Sequence, residues 1–269
     1  MSQADSVGGS GAAAPRIPEP VVGIIGKQDI VEAFAAGLRD FQAAPLYGLV
    51  FGGIYAVAGM ALVLMATHYG LSYLIYPLAA GFALLGPFVA VGLYEVSRRR
   101  ETGEPLSWGA VLGAVVQQGR RELGWMAFVT LFVFLVWMYQ VRLLLALFLG
   151  FQSFASFHQF LTVVLTTPEG LLFLAIGHAV GAVLALALFS LTVISFPLLL
   201  DRDVDVVTAM ITSVRAVTAS PGPMVAWAAK VVFLLVFACL PFFLGLFVVL
   251  PVLGHATWHL YRRVVAPAA

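Results

Sequence analysis

Charge is scarce in this chain: Asp, Glu, Lys and Arg make up 10% of its 269 residues, against 62% hydrophobic residues. A water-soluble fold needs more charge than this to cover its surface, so one or two soluble domains are excluded. The net charge is only +1, and the basic residues stand in short clusters without interleaved aromatics. No nucleic-acid partner is therefore expected. Cysteine is nearly absent too: Cys239 stands alone in an apolar run, which excludes an internal disulfide and a cysteine metal site. No Walker loop, HExxH, GxSxG or CxxC occurs, so the chemistries those motifs carry have no support and no catalytic residue is assigned. A basic start followed by an apolar stretch is missing as well. The first twenty residues are small, polar and rich in Pro and Gly, and residues 1–25 read as a disordered cytoplasmic tail rather than a cleaved signal.

What the chain has in quantity is long apolar runs. Crossing a hydrocarbon core of about 30 Å takes about 20 mostly apolar residues at a rise of about 1.5 Å each. Residues 46–67, 71–94, 123–141, 168–200, 223–240 and 243–261 are the stretches that meet this demand. The brief connectors at residues 68–70 and around Pro241 make their flanking spans antiparallel. Ahead of the first span, residues 29–42 carry Val31, Phe34, Leu38 and Phe41 at helical spacing, with Asp29, Glu32, Arg39 and Asp40 off that stripe. Such a segment lies along the membrane surface or against the bundle. Residues 107–122 and 205–219 hold the second and third surface helices. Residues 143–167 read as an extension of the third span plus an interfacial segment, with a re-entrant loop as the alternative. The expected fold is thus an all-α membrane protein: six transmembrane helices as three antiparallel hairpins, each preceded by a cytoplasmic amphipathic helix, in one domain over residues 26–265.

Basic residues set the orientation. Twelve of the fourteen Lys and Arg fall on the face that carries both termini, the exceptions being Arg142 and Lys230. That face is therefore the cytoplasmic one, and the hairpin turns lie outside. An internal repeat accompanies this pattern. A shift of 176 positions lays Asp29, Val31, Ala33, Arg39, Ala43 and Pro45 on Asp205, Val207, Ala209, Arg215, Ala219 and Pro221. A shift of 164 brings Pro87 to Pro251, and Arg98 and Arg99 to Arg262 and Arg263. The units run over about 29–99, 107–200 and 205–263.

Few residues suggest a site. His255 and His259, at i and i+4, share one face of the last helix, a spacing that suits a metal ion if other helices supply two more ligands. Glu95 and Asp201, each at a cytoplasmic span end, are the suppliers within reach. Set against this is a plainer role, in which the histidines fix helix ends among Tyr94, Trp258, Tyr261 and the arginines. His178 and His255 lie at depths that differ by about 8 Å, so they do not pair on a haem. No cofactor is expected. The run Asp201 to Asp205 lacks the glycine and distal Glu of a calcium loop, and Asp205 is better placed as a helix N-cap.

The blocks LRDFQAAP (residues 38–45), GPFVAVGLYEVSRR (86–99), FPLLLDRDVDVVTAM (196–210), PGPM (221–224) and GHATWHLYRR (254–263) resemble a family of uncharacterised bacterial integral membrane proteins. Some of its members carry the label of a cytochrome c oxidase subunit I. The resemblance implies a bacterial inner-membrane protein of unassigned activity. A haem-copper catalytic subunit needs more histidine ligands, paired across helices, than the five histidines of this chain. An accessory or assembly role beside such an enzyme is compatible with them. The leading expectation is a non-catalytic protein that packs against lipids and other membrane proteins or itself. A small-solute or ion transporter or channel, using Glu95, Asp201, His255 and His259, is the first alternative. A haem- or metal-binding redox accessory is the second. The orientation has a direct check: a reporter active only in the cytoplasm, fused after Ala269, is expected to be active, and one inserted at Gly70 silent. The reverse pattern overturns it.

Overall fold

The computed structural model describes residues 19–70, 75–119, 122–150 and 157–267. They form the helices α1 (Lys27–Ala43), α2 (Pro45–His68), α3 (Ile75–Thr102), α4 (Trp108–Gly119), α5 (Leu123–Leu149) and α6 (Phe157–Thr166). After these come α7 (Pro168–Thr192), α8 (Ser195–Asp201), α9 (Val206–Ala219), α10 (Pro221–Cys239) and α11 (Leu246–Val264). The only strand-like pairing among the described residues is an isolated antiparallel bridge between Val22 and Val265. The all-α class is therefore as the apolar periodicity indicated. By length and composition α2, α5, the combined run Pro168–Asp201 and α10 are able to cross a membrane.

Local chemistry sets the helix ends. Pro45, Pro168 and Pro221 each open a helix, where the missing N–H costs nothing. Thr167 caps α7 by accepting from the Gly170 N–H. Asp205 caps α9 as its place in the sequence suggested, accepting from the Thr208 N–H at 2.9 Å. One residue separates α1 from α2 and one separates α9 from α10. Ala44 has φ −136° and ψ 55°, and Ser220 has φ −137° and ψ 61°, so the two junctions share a backbone geometry. At Gly150 φ is +67°, a left-handed value that favours glycine, and α5 ends there. The expected extension of the third span is thus helical as far as Leu149. The interfacial part resumes at α6, and residues 151–156 between them lie outside the described residues, as do residues 71–74 at the start of the second span and Arg120 and Arg121.

Two expectations need correction. The tail over residues 1–25 lies outside the described residues up to residue 18. Its last part is held in place: Gly23 donates its N–H to the Val264 carbonyl at 2.7 Å, and Ile25 donates to Ser220 Oγ at 2.9 Å. Backbone pairing to the C-terminal segment, burial of the apolar Ile25 and packing of Val22 against the core fix these residues. The buried face of α1 also differs from the expected stripe. Ile30, Ala33, Gly37 and Asp40 are buried, whereas Val31 and Leu38 are exposed. The cause is how closely α1 approaches α11. A Cβ on Gly37 would run into the backbone of Ala256, and such proximity admits only small side chains.

The same proximity continues along α2, where Gly48 and Gly52 lie against Pro251, and Gly52 also against the Leu246 carbonyl. α1 and α2 therefore run antiparallel to α11, α1 beside its C-terminal half and α2 beside its N-terminal half. α11 starts level with Gly52, about 10 Å along α2 at a helical rise, and from Gly254 onward it stands beside α1, outside the membrane-crossing helices. The last span expected over residues 243–261 is not among the helices apolar enough to cross by themselves. Its polar half belongs to a layer at the ends of the spans. That layer holds the largest buried cluster, in which Met126, Ile194, Phe196, Trp227, Trp258 and Tyr261 pack together with α1 and α9. Hereafter it is called the cap. Lys230, one of the two basic residues off the basic face, bends back to lie 5.4 Å from the ring of Phe34 on α1.

Close packing at Gly37 has a measurable consequence. Gly37→Ala would gain about 1 kcal/mol in helix propensity, yet overpacking against the Ala256 backbone is expected to cost about 1 to 3 kcal/mol and to lower the thermal unfolding midpoint. Gly113→Ala, in a helix where a Cβ meets nothing, is expected to hold or raise it. Equal shifts for both variants in the same detergent would contradict the packing described.

Candidate functional site

Asp40 sits on the small-residue face of α1 and is carried with it into the cap, where it is 7% exposed. An ionised carboxylate in such a place needs donors on both oxygens. α3 and α11 supply them. Ser97 Oγ donates to Asp40 Oδ2 at 2.6 Å, His259 Nε2 to the same oxygen at 2.7 Å, and Arg100 Nε to Oδ1 at 2.9 Å. Behind Ser97 lies His255, fully buried, with Nδ1 at 2.8 Å from the serine oxygen. Ser97 has one proton, and it goes to the carboxylate; His255 must then donate from Nδ1, which fixes its tautomer. Its Nε2 has no hydrogen-bond partner among the described residues.

Burial raises the Asp40 pKa, but donation from His259, Ser97 and Arg100 outweighs it and holds the carboxyl at about 2 instead of 3.8. The carboxylate is thus charged at any physiological pH and serves to join three helices. The order of the groups also decides what the site does not do. Ser97 gives its proton in a hydrogen bond to a carboxylate held at about 2, too weak a base to remove it, and its oxygen is occupied by the imidazole N–H. The residue is itself fully buried, out of reach of a substrate.

Of the site residues named from the sequence, His255 and His259 come together through Asp40. Glu95 does not join them. It is buried and turned to the arginines, accepting from Arg98 Nε at 2.8 Å and from Arg99 Nε at 2.6 Å. Arg98 in turn reaches Glu104 at 2.9 Å. Asp201, at the end of α8, accepts from the Tyr261 hydroxyl at 2.6 Å and from Arg262 at 3.3 Å. Arg262 also bonds Glu101, which receives the Trp258 indole N–H at 3.0 Å. Among the described residues no group of three or more His, Cys, Asp or Glu side chains is arranged to hold a metal ion. Sequence reasoning missed Asp40 and Ser97. A signal for Asp40 was present: it continues the series Ile30, Ala33, Gly37 at helical spacing, and an acid on a glycine-containing stripe must be buried with it.

Asp40→Asn is expected to lower stability by roughly 2 to 4 kcal/mol, because it removes the charge that Arg100 and His259 face. The wild-type protein also has a distinct acid limb. Because the folded-state pKa of Asp40 lies below the ordinary value, its contribution is present above pH 3.8 and is lost as pH falls through about 2. The loss amounts to about 2 kcal/mol. Thermal unfolding followed between pH 5 and pH 2 should show this limb in the wild type and its flattening in the variant; identical limbs would refute the assignment.

With four helices among the described residues long and apolar enough to cross a bilayer, the chain is a multi-pass integral membrane protein. No curated protein and no solved structure matches it. Residues 75–201, which carry Ser97, Arg100 and the helices α3 to α8, match the family model "Predicted integral membrane protein (DUF2189)".

Proposed function

We propose that this is a non-catalytic protein of a bacterial cytoplasmic membrane, both termini cytoplasmic, that acts by packing against other membrane proteins or further copies of itself. The observation that carries the reading is how unevenly burial is distributed over the spans. Only 6% of the most apolar window of α5 is buried within the chain, against 44% for Pro168–Asp201. α5 also turns Trp125, Phe128, Phe132 and Tyr139 outward, each more than half exposed. Aromatic side chains of this kind are enriched at protein interfaces. At the cap, by contrast, Asp40, Glu95, Glu101 and Asp201 are engaged by side chains of the same chain, which supports a structural use for them rather than chemistry.

The arrangement in this proposal is three antiparallel hairpins, α2 with α3, α5 with α7 and α10 with α11, the last helix entering only part of the way. The matching junctions at Ala44 and Ser220, and the burial of Ala33 and Ala209 at equivalent places, support a repeated unit. Cytoplasmic termini are supported by the basic residues of the cap. Neither haem nor metal is assigned. A role beside a respiratory oxidase belongs to the same reading and rests on the family resemblance alone.

A photo-crosslinking residue at Phe132, introduced in cells, tests the proposal. It is expected to give one discrete protein adduct, while the same residue at buried Trp227 gives none. Adducts to lipid alone at Phe132, Phe128 and Tyr139 would overturn it.

A further inference from the structure

In the cap one buried polar side-chain atom is left over among the described residues. His255 Nε2 has no partner among the described residues, although its ring is held in place through Nδ1 by Ser97. Nothing in this hydrogen-bond chain accommodates a second proton. Asp40, the only acid facing the ring, already accepts from Ser97, His259 and Arg100, and Arg100 balances its charge. The other elements packed around α11 bring no further acid to the imidazole. Glu95 on α3 is held by Arg98 and Arg99, and Asp201 on α8 is held by Tyr261 and Arg262. α2 carries no Asp, Glu, Lys or Arg, and the single charge of α10, Lys230, lies over Phe34. A proton on Nε2 would find only the Leu93 carbonyl, a neutral acceptor that does not offset the burial of the charge.

We infer that the chain Asp40–Ser97–His255 is an acid-sensitive latch: α1 docks on α11 only while His255 is a neutral imidazole, and uptake of a proton on its Nε2 releases α1. The inference stands apart from the proposed packing role, since it concerns the cap and not the spans. Its direction follows from linkage. Burial pulls the docked imidazole down to about 4 from 6.5, more than the Asp40 charge raises it. The docked state therefore binds fewer protons than the released one. Docking is undisturbed above pH 6.5, weakens as pH falls below that value, and loses no more once pH reaches about 4. At pH 5 the weakening is about 30-fold.

Hydrogen–deuterium exchange of the full chain in lipid nanodiscs, corrected for the intrinsic pH dependence of exchange, reads the latch directly. Between pH 7.5 and pH 5.0 the opening of the α1 amides is expected to rise about 30-fold, with α2 unchanged. His255→Asn keeps a donor toward Ser97 but does not titrate, and should abolish the response; His259→Asn should retain it. A second measurement covers the case in which His255→Asn fails to fold: ¹⁵N chemical shifts of His255 in the wild type, which must report the imidazolium in step with α1 opening. Equal α1 protection at both pH values overturns the inference. So does a full response in His255→Asn, or an imidazolium at His255 with α1 still docked.

Discussion

The structure depends on how closely α1 and α2 approach α11. Gly37, Gly48 and Gly52 have no side chain to hold the helices apart, so the backbones pack directly on one another. The consequences are chemical as well as steric. Asp40 lies on the same face as Gly37, so bringing α1 to α11 brings a carboxylate into the cap. Leaving that charge without donors would cost several kcal/mol. Ser97, Arg100 and His259 are the response to this cost, and α3 is thereby joined to the pair.

The rest of the cap follows the same logic. Asp29, Asp40, Glu95 and Asp201 each have a cationic or hydroxyl partner on another element or on the next turn. Arg263 reaches Asp29 and Glu32 on α1, Arg262 reaches Glu101 on α3 and Asp201 on α8, and Arg98 and Arg99 surround Glu95. The basic clusters that mark one face of the sequence are therefore also internal ties between helix ends. Burial is concentrated in this layer, with Trp227, Trp258 and Tyr261 at its centre, while α5 and α10 remain open along most of their length.

Much of the chain was legible without coordinates. Runs of apolar residues long enough to cross a bilayer located α2, α5, α7 and α10, because the demand for internally satisfied backbone bonds leaves a helix as the one spanning form such runs adopt. Prolines at 45, 168 and 221 and the acid at 205 marked helix starts through local effects that operate within one turn. The face of α1 was misjudged for a physical reason. Size and apolarity favour Val31 and Leu38 as contacts in water, but the real contact selects the smallest residues. α11, expected as a sixth span, is not among the helices apolar enough to cross by themselves, because its C-terminal half carries the polar groups and arginines of the cap.

The sequence by itself therefore determined the class of object: an all-helical, multi-pass membrane protein with its charge gathered at one set of helix ends. These properties depend on composition and on spacing within single helices. Only the tertiary structure decided that Asp40 rather than Glu95 or Asp201 joins the two histidines, and that His255 is left with an unpaired nitrogen. The hydrogen bonds responsible link residues 57, 158 and 219 positions apart. Which side chains meet across such separations is set by the approach of three helices and the one face each presents, which no local pattern records.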